Sequence, residues 1–175
     1  IHRTYEKALE SPYMHGIPYL WCSNNLTTAM LTQCRLYREL TGDDTYAEME
    51  ASLRDWLFGC NPWGTSMVVE LPAHGDYPDQ PHSSYLNAGA GTTVGGLVDG
   101  PVYFNIFKHL KGVNMDGIPN RPGDDYARFQ PDLMVYHDAI GDYSTNEPTM
   151  DGTACLTYYL SAMEKDGAKQ AARKK

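Results

Sequence analysis

The sequence has little positive charge and no long apolar run. Of its 175 residues, 14 are Lys or Arg and 22 are Asp or Glu, so the net charge is −8. A chain this acidic is a poor partner for nucleic acid or for an anionic membrane surface. No apolar run approaches the roughly 20 residues that a helix needs to cross a bilayer. We therefore expect neither nucleic acid nor a membrane span.

Two common kinds of site are also missing from the sequence. Its four cysteines are scattered and form no C-x-x-C pair, so we expect neither a zinc ribbon nor a thioredoxin-like redox site. Buried free thiols are the default, and one disulfide is an alternative for an exported chain. Because there is no Gly-x-Ser-x-Gly elbow, covalent catalysis by a serine has no support.

Helical periodicity appears in three parts of the chain. Apolar residues at helical spacing predict a helix over residues 25–40, stopped by Gly42, and a second helix that Asp43 or Asp44 caps. These two helices should form an antiparallel hairpin. A short helix is predicted over residues 103–110 and a terminal helix over residues 149–165. The remaining residues, 166–175, read as a basic polar tail that we expect to be disordered.

Long irregular segments separate these helices. Residues 71–101 and 111–131 are rich in residues that form loops, and only residues 67–69 indicate a strand. The fold class is therefore all-α with long loops. Such loops normally rest on a larger scaffold, so the chain reads as part of a bigger domain. The N-terminus lacks both an initiator Met and a signal peptide, which indicates a chain already cut or trimmed.

The segment with most chemical information is residues 136–147, Tyr-His-Asp-Ala-Ile-Gly-Asp-Tyr-Ser-Thr-Asn-Glu, which we call the closing segment. It sets carboxylates between aromatic rings. Burial beside such rings raises the pKa of a carboxyl, and a Glu protonated near neutral pH can act as a glycosidase acid. The simpler interpretation is a polar loop whose Asp side chains cap turns.

Other polar clusters are less specific. The spacing of His74, Asp76, Asp79 and His82 matches no known ligand pattern, so we assign no metal site and interpret them as hydrogen-bonded loop residues. His82 alone is a candidate donor to a sugar hydroxyl. The glycine-rich residues 89–96 lack a preceding strand and a Gly-Lys-Ser/Thr ending, so they predict a flexible turn and not a phosphate loop.

Together these segments resemble glycoside hydrolase family 9, inverting endoglucanases with an (α/α)6 six-hairpin barrel. Residues 18–25, Pro-Tyr-Leu-Trp-Cys-Ser-Asn-Asn, are similar to that family's aromatic-Trp-Gly-Ser-Asn segment. Residues 57–68 resemble its Leu-Gly-x-Asn-Pro-x-Gly-x-Ser-aromatic-Val turn. Residues 81–82 resemble its Pro-His-x-Arg motif, and residues 95–101 its Gly-x-Leu-Val-Gly-Gly-Pro run. The closing segment follows the family's final active-site signature, and this match is the most specific.

The resemblance implies a role for each candidate residue. Glu147 would be the general acid that protonates the glycosidic oxygen, and Asp138 would support the site by hydrogen bonds and charge. His82 and Tyr143 would line the sugar subsites, with Asp142 a weaker candidate for the same cleft. No cofactor is implied. Calcium binding by the full-length protein stays open, but a calcium site cannot be assigned from this sequence.

Three departures from the family pattern matter. Ser84 replaces the Arg that follows the family's His, and Thr153 stands where the family usually has Asn. The catalytic base, which the family places in an Asp-x-Gly-Asp motif near the start of its domain, has no counterpart here. An inverting glycosidase requires that base. We therefore expect residues 1–165 to be the C-terminal portion of an incomplete barrel, inactive without the N-terminal part of the same domain.

Three functions remain open. The first is hydrolysis of β-glycosidic bonds in cellulose or a related polysaccharide or oligosaccharide. The second is a non-catalytic carbohydrate-binding or scaffold protein, which the change of Arg to Ser84 favours a little. The third is an enzyme of the same family with another sugar preference, such as an exo-acting glycosaminidase-like one. The resemblance further implies a secreted or periplasmic protein.

Overall fold

The computed structural model describes residues 1–83, 89, 91–111, 113 and 125–173. In the described part, helices dominate, as the sequence predicts, and four very short strands accompany them. In chain order the elements are α1 (His2–Ala8), α2 (Ser23–Thr41), α3 (Ala47–Leu57), β1 (Leu97–Val98), β2 (Val102–Tyr103), α4 (Phe104–Phe107), a 3-10 turn (Ala127–Phe129), β3 (Met134–Val135), β4 (Pro148–Thr149) and α5 (Met150–Arg173).

The strands form two small antiparallel sheets, which the all-α prediction did not include. In one, β1 pairs with β4 so that Leu97 faces Thr149; in the other, β2 pairs with β3 so that Val102 faces Val135. Each strand has only two residues, too few to show an alternating pattern in the sequence. Of the segment expected as a strand, Val68 makes isolated bridges to Leu71 and Leu97.

The hairpin of α2 and α3 is confirmed, but its turn differs from the prediction. Helix α2 ends at Gly42, whose φ of +73° suits glycine and whose N–H donates to Arg38 O at 2.9 Å. No side chain caps α3, which begins only at Ala47. The Asp43 carboxylate instead accepts the Thr45 N–H at 2.9 Å and the Tyr37 hydroxyl at 2.7 Å. Its short side chain stabilises the turn before the helix.

Helix α2 packs against both α3 and α5, and this three-helix layer carries much of the core. Its apolar side chains face one another at helical spacing and are fully buried or nearly so. They are Leu31 and Cys34 from α2, Met49, Leu53, Trp56 and Leu57 from α3, and Leu156 and Tyr159 from α5. Among the helices of the described residues, we find none with the length and apolar character needed to cross a membrane.

A polar cluster crosses the same three helices. The buried carboxylate of Glu50 in α3 accepts a hydrogen bond from Arg38 Nη2 of α2 at 2.8 Å. It also accepts one from the Tyr159 hydroxyl of α5 at 3.1 Å. One turn away on α2, buried Arg35 bonds Asp166 of α5 at 2.6 Å. Paired and hydrogen-bonded in this way, the buried charges are compensated.

The pairing of Arg35 with Asp166 corrects the prediction of a disordered tail. Helix α5 does not end at residue 165 but continues to Arg173, with residues 174–175 outside the described part. The ion pair holds the turn around Asp166 against α2. The composition of this segment is typical of a fraying tail. It does not reveal that Asp166 forms an ion pair with Arg35.

The start of α2 is fixed to the loop that follows β1. Buried Asn24 donates from Nδ2 to Val98 O at 2.9 Å, and Ser23 donates from Oγ to Pro101 O at 2.7 Å. Gly100, at a φ of +86°, lies directly against the Asn24 side chain. A Cβ at position 100 would collide with that side chain, so glycine permits the close approach.

We predict that Gly100→Ala destabilises the full-length protein by roughly 2–4 kcal/mol, because it combines an unfavourable φ with overpacking against Asn24. The matched control is Gly42→Ala, also at positive φ but with open space around the new methyl group. The control should cost about 1–2 kcal/mol. Urea unfolding measures both losses, and equal losses would contradict a packing role for Gly100.

Candidate active site

The closing segment folds around the carboxylate of Asp142, which has no exposed surface. His137 Nδ1 donates to it at 2.7 Å, and the Ser144 N–H at 2.8 Å. The Thr145 hydroxyl donates at 2.9 Å, and the Ser144 hydroxyl donates as well. With its oxygens engaged and buried, Asp142 does not reach a sugar. Our expectation that it lines the cleft is therefore corrected: it holds the turn together.

These bonds also determine the protonation of Asp142. Burial by itself would raise the pKa of this carboxyl, but the hydrogen bond and charge of His137 and the donors of Ser144 outweigh it and lower the pKa. The carboxylate therefore stays ionised in the folded protein at neutral pH.

Asp138 connects the closing segment to the loop that precedes His82. Its buried carboxylate accepts the backbone N–H of Asp79 at 2.9 Å and that of Gln80 at 3.0 Å. Burial raises the pKa of Asp138, and these hydrogen bonds oppose the rise. The carboxylate of Asp138 thus holds the backbone of residues 79–80 beside the closing segment.

Asn146 reinforces the same connection from within the closing segment. Its Nδ2 donates to Asp138 Oδ1 and to Gln80 O, both at 2.9 Å, while its Oδ1 accepts the Tyr136 hydroxyl at 3.0 Å. Its backbone carbonyl accepts the His82 N–H at 2.9 Å. All of these polar groups of a fully buried side chain are therefore satisfied, and residues 79–82 are fixed beside residue 146.

His82 is half-buried, and its ring orientation is set by one hydrogen bond. Its Nδ1 lies 2.7 Å from Ile140 O. Because a carbonyl oxygen only accepts, Nδ1 carries the proton, and a neutral ring then has Nε2 as an acceptor. The backbone bond to Asn146 and the ring bond to Ile140 hold His82 at both ends.

Tyr143 brings His82 together with a residue that the sequence had not singled out, Trp21. The Tyr143 ring lies 5.8 Å from the Trp21 ring and 6.1 Å from the His82 ring, measured between centroids. Its hydroxyl donates to Lys111 O at 2.7 Å. Trp21 is 42% exposed. We call Trp21, Tyr143 and His82 the aromatic wall. The exposure of Trp21 could not be inferred from its motif alone.

Glu147 is exposed, contrary to the expectation of a carboxyl buried among rings. In the closing segment the buried carboxyls are Asp138 and Asp142. The backbone of Glu147 is nevertheless fixed, since its carbonyl accepts the Asp99 N–H at 2.9 Å. The preceding residue, Asn146, bonds the backbone of His82. The backbone of Glu147 is therefore fixed in the same segment as Tyr143 of the aromatic wall.

Thr153 and Ser84 are the two residues that depart from the family pattern. Thr153 accepts the Leu97 N–H at 2.9 Å and donates to Thr149 O at 2.6 Å, so it joins α5 to β1. Ser84 lies outside the described residues.

Within the described ranges, no three His, Cys, Asp or Glu side chains come together as ligands for a metal ion. One member of the loop cluster of residues 74–82, Asp76, accepts a hydrogen bond from the Tyr126 hydroxyl at 3.0 Å.

Several solved structures share this fold. They include a metagenome-derived glycoside hydrolase family 9 endoglucanase (23% identity, TM-score 0.66), a Zn-binding triple mutant of the family 9 endoglucanase J30 (23%, 0.68), and AaCel9A in complex with cellobiose-like isofagomine (21%, 0.63). The matches cover 90, 92 and 93% of this chain but only 26, 28 and 29% of the matched structures. No curated protein matches the chain.

The sequence itself identifies the family. The profile of glycosyl hydrolase family 9 matches residues 4–160. The chain belongs to this family, as the motifs indicated, and it spans little more than a quarter of the length of the structures that share its fold.

We predict that Asp142→Asn destabilises the protein at pH 7 and that the loss shrinks in acid. Because the pKa of Asp142 is lowered on folding, its ionised form adds stability above the pKa of the unfolded chain, about 3.9. That stability disappears as the pH falls through the lower pKa of the folded state. Urea unfolding of the full-length protein between pH 7 and pH 3 measures it.

The matched control for this prediction is Asp132→Asn, at an exposed position. It should change the free energy of unfolding by less than about 0.5 kcal/mol at any pH. A loss for Asp142→Asn that stays constant down to pH 3 would show that the carboxylate charge is not what stabilises the turn.

Proposed function

We propose that this chain supplies the general acid and one wall of the substrate cleft of a glycoside hydrolase that cleaves β-glycosidic bonds in cellulose or a related β-glucan. One observation carries the proposal: Glu147 is exposed on a turn whose neighbouring residue, Asn146, also fixes His82. The backbone that carries the candidate proton donor is thus tied directly to the loop of His82. Membership of family 9 supports the reaction class.

In this proposal Glu147 donates its proton to the glycosidic oxygen as the bond to the leaving sugar breaks. Asp138 and Asn146 take no proton in the step; they keep the turn and the loop of His82 in register. A second carboxylate must activate a water on the opposite face of the sugar, roughly 6.5–9.5 Å from the acid, in an inverting mechanism. We assign that base to the N-terminal part of the same catalytic domain, which would complete the (α/α)6 barrel.

The aromatic wall would bind the sugar. The exposed face of Trp21 offers apolar surface to the C–H face of a pyranose, and its edge remains wet. Nε2 of His82 is available to a sugar hydroxyl because Nδ1 is engaged by Ile140. A solved structure with this fold, AaCel9A, is a complex with cellobiose-like isofagomine, which supports a β-linked glucose substrate for the proposal.

The proposal has two further parts. The chain alone should show no turnover, because the base lies elsewhere in the domain. We also propose a secreted or periplasmic location for the whole protein, because a polysaccharide substrate is met outside the cytoplasm. The competing interpretation, a non-catalytic carbohydrate-binding protein, would keep the wall and lose the acid function. Substitution of Glu147 separates the two.

We predict that Glu147→Gln in the full-length protein lowers kcat on unactivated cello-oligosaccharides by roughly 10²–10⁴-fold, because the amide cannot donate the required proton. Hydrolysis of an activated aryl glycoside should fall much less, since its leaving group needs no proton. Steady-state kinetics on both substrates provide the comparison.

Glu48→Gln, at an exposed position on α3, is the matched control and should leave both rates unchanged. If Glu147→Gln leaves the rate on unactivated substrates intact, the acid role is wrong. If the wild-type full-length protein binds β-glucan without hydrolysing it, the non-catalytic interpretation holds instead.

We predict that Trp21→Ala weakens binding of a cello-oligosaccharide by about tenfold, because it removes the exposed apolar surface of the wall. The matched control is Tyr158→Ala, which removes an aromatic ring that is 46% exposed on α5. Calorimetry in the Glu147→Gln background measures both without turnover. Equal affinities for the two variants would exclude the aromatic wall as the binding surface.

A further inference from the structure

We propose that Asp99 is a positioning residue for Glu147, tying the turn of the acid to the start of helix α2 through its backbone and packing its own carboxyl beneath that turn. This inference rests on the function proposed for Glu147. Asp99 was assigned no role by the sequence. Its place in the structure gives it one.

The backbone of Asp99 makes one hydrogen bond to Glu147 and one to the start of α2. Its N–H donates to Glu147 O at 2.9 Å, and its carbonyl accepts the Asn24 N–H at 2.9 Å. On either side, Val98 pairs with Pro148 and the Gly100 N–H donates to Thr145 O at 3.0 Å. The residue therefore joins the candidate acid directly to the first turn of α2.

The side chain of Asp99 is buried. It is 1% exposed, and within the described part of the chain its Oδ1 has no hydrogen-bond partner. A buried carboxylate in that position would be a charge without compensation, whereas a neutral carboxyl costs much less. The packing therefore favours a protonated Asp99.

The groups that act on Asp99 strengthen this preference. Burial is the main cause that raises the pKa of Asp99, the charges of Glu147, Asp151 and Asp142 add to the rise, and together they bring the pKa to about 7. These carboxyls come from the closing segment and from the first turn of α5. An interaction with the Cys22 thiol opposes the rise, since a thiol is a weak donor to the ionised form.

Cys22 itself is held in an unusual way. Its φ of 57° and ψ of 43° lie in the left-handed region that favours glycine. This conformation turns the chain between exposed Trp21 and the first residue of α2, and burial raises the pKa of its thiol to about 12. The thiol therefore stays protonated beside Asp99 at all ordinary pH values.

A dependence on pH follows from these placements. Below about pH 7, Asp99 is neutral and fits beneath the turn of Glu147. As the pH rises through 7, Asp99 ionises, and its buried charge faces Glu147, Asp151 and Asp142. Repulsion among these groups disfavours the packed turn, so the acid loses its fixed position.

The test compares the full-length wild-type protein with Asp99→Asn on unactivated cello-oligosaccharides. For the wild type, kcat/KM should fall about tenfold between pH 6 and pH 8, because a carboxyl with a pKa of about 7 loses about nine-tenths of its protons over that interval. Asp99→Asn stays neutral at the same volume. It should match the wild type at pH 6 and exceed it by up to about tenfold at pH 8, because a fall that both proteins share does not come from Asp99.

Cys22→Gly gives a second variant that the local backbone favours. Without the thiol, the ionised form of Asp99 is less stabilised, so the alkaline fall in activity should move to higher pH. Asp43→Asn, in the distant turn between α2 and α3, is the control and should leave the pH at which kcat/KM falls unchanged.

The outcomes separate this inference from the proposed function. If Glu147→Gln abolishes turnover of unactivated substrates and both Asp99→Asn and Cys22→Gly move the fall upward, Asp99 positions the acid. If Glu147→Gln abolishes turnover but both variants keep the wild-type profile, Asp99 has no such role and the proposed function stands. If Glu147→Gln retains turnover, both the proposed function and this inference are wrong. Should Asp99→Asn fail to fold, the profile of Cys22→Gly decides between the first two.

Discussion

Two buried carboxylates that accept hydrogen bonds are the constraint on which the candidate site depends. Asp142 gathers donors from within the closing segment, and Asp138 accepts backbone N–H groups from the loop before His82. Because a buried carboxylate is costly unless its oxygens are satisfied, each one dictates where its donors lie. Asn146 connects the two systems. The position of Glu147 follows from this network and needs no contact from its own side chain.

The helical layer determines where that network can lie. Helix α2 begins immediately after Trp21 and Cys22, and α5 begins three residues after Glu147. Asn25 joins the two helix starts: its Nδ2 donates to Asp151 at 3.0 Å, and its Oδ1 accepts the Thr149 hydroxyl at 2.8 Å. The same helices are held further along by their apolar core and by Glu50. A rigid scaffold thus fixes two chain segments that enter one site, which is the usual way that loops obtain precise geometry.

The residues of the closing segment were predictable from sequence, but their division of labour was not. Asp138, Asp142 and Glu147 all stand near aromatic rings in the sequence, and all were candidates for the active site. Burial separates them: Asp142 is enclosed by its own segment, whereas Glu147 is exposed. The two long helices of the hairpin followed from periodicity over several turns. Two-residue strands and the extension of α5 depend on partners distant in sequence, such as Asp166 with Arg35, and no local pattern reveals such partners.

The exposure of Glu147 has a consequence for the architecture of the whole domain. General acid catalysis needs a carboxyl in a site from which water is excluded when the bond breaks. The described residues fix the backbone of Glu147 but do not cover its side chain. Bound glucan on the aromatic wall can supply one side of the cover. In the proposed mechanism the other side would come from the part of the domain to which we assign the base, because that group acts from across the sugar. Assembly of the barrel and completion of the catalytic site would then be the same event.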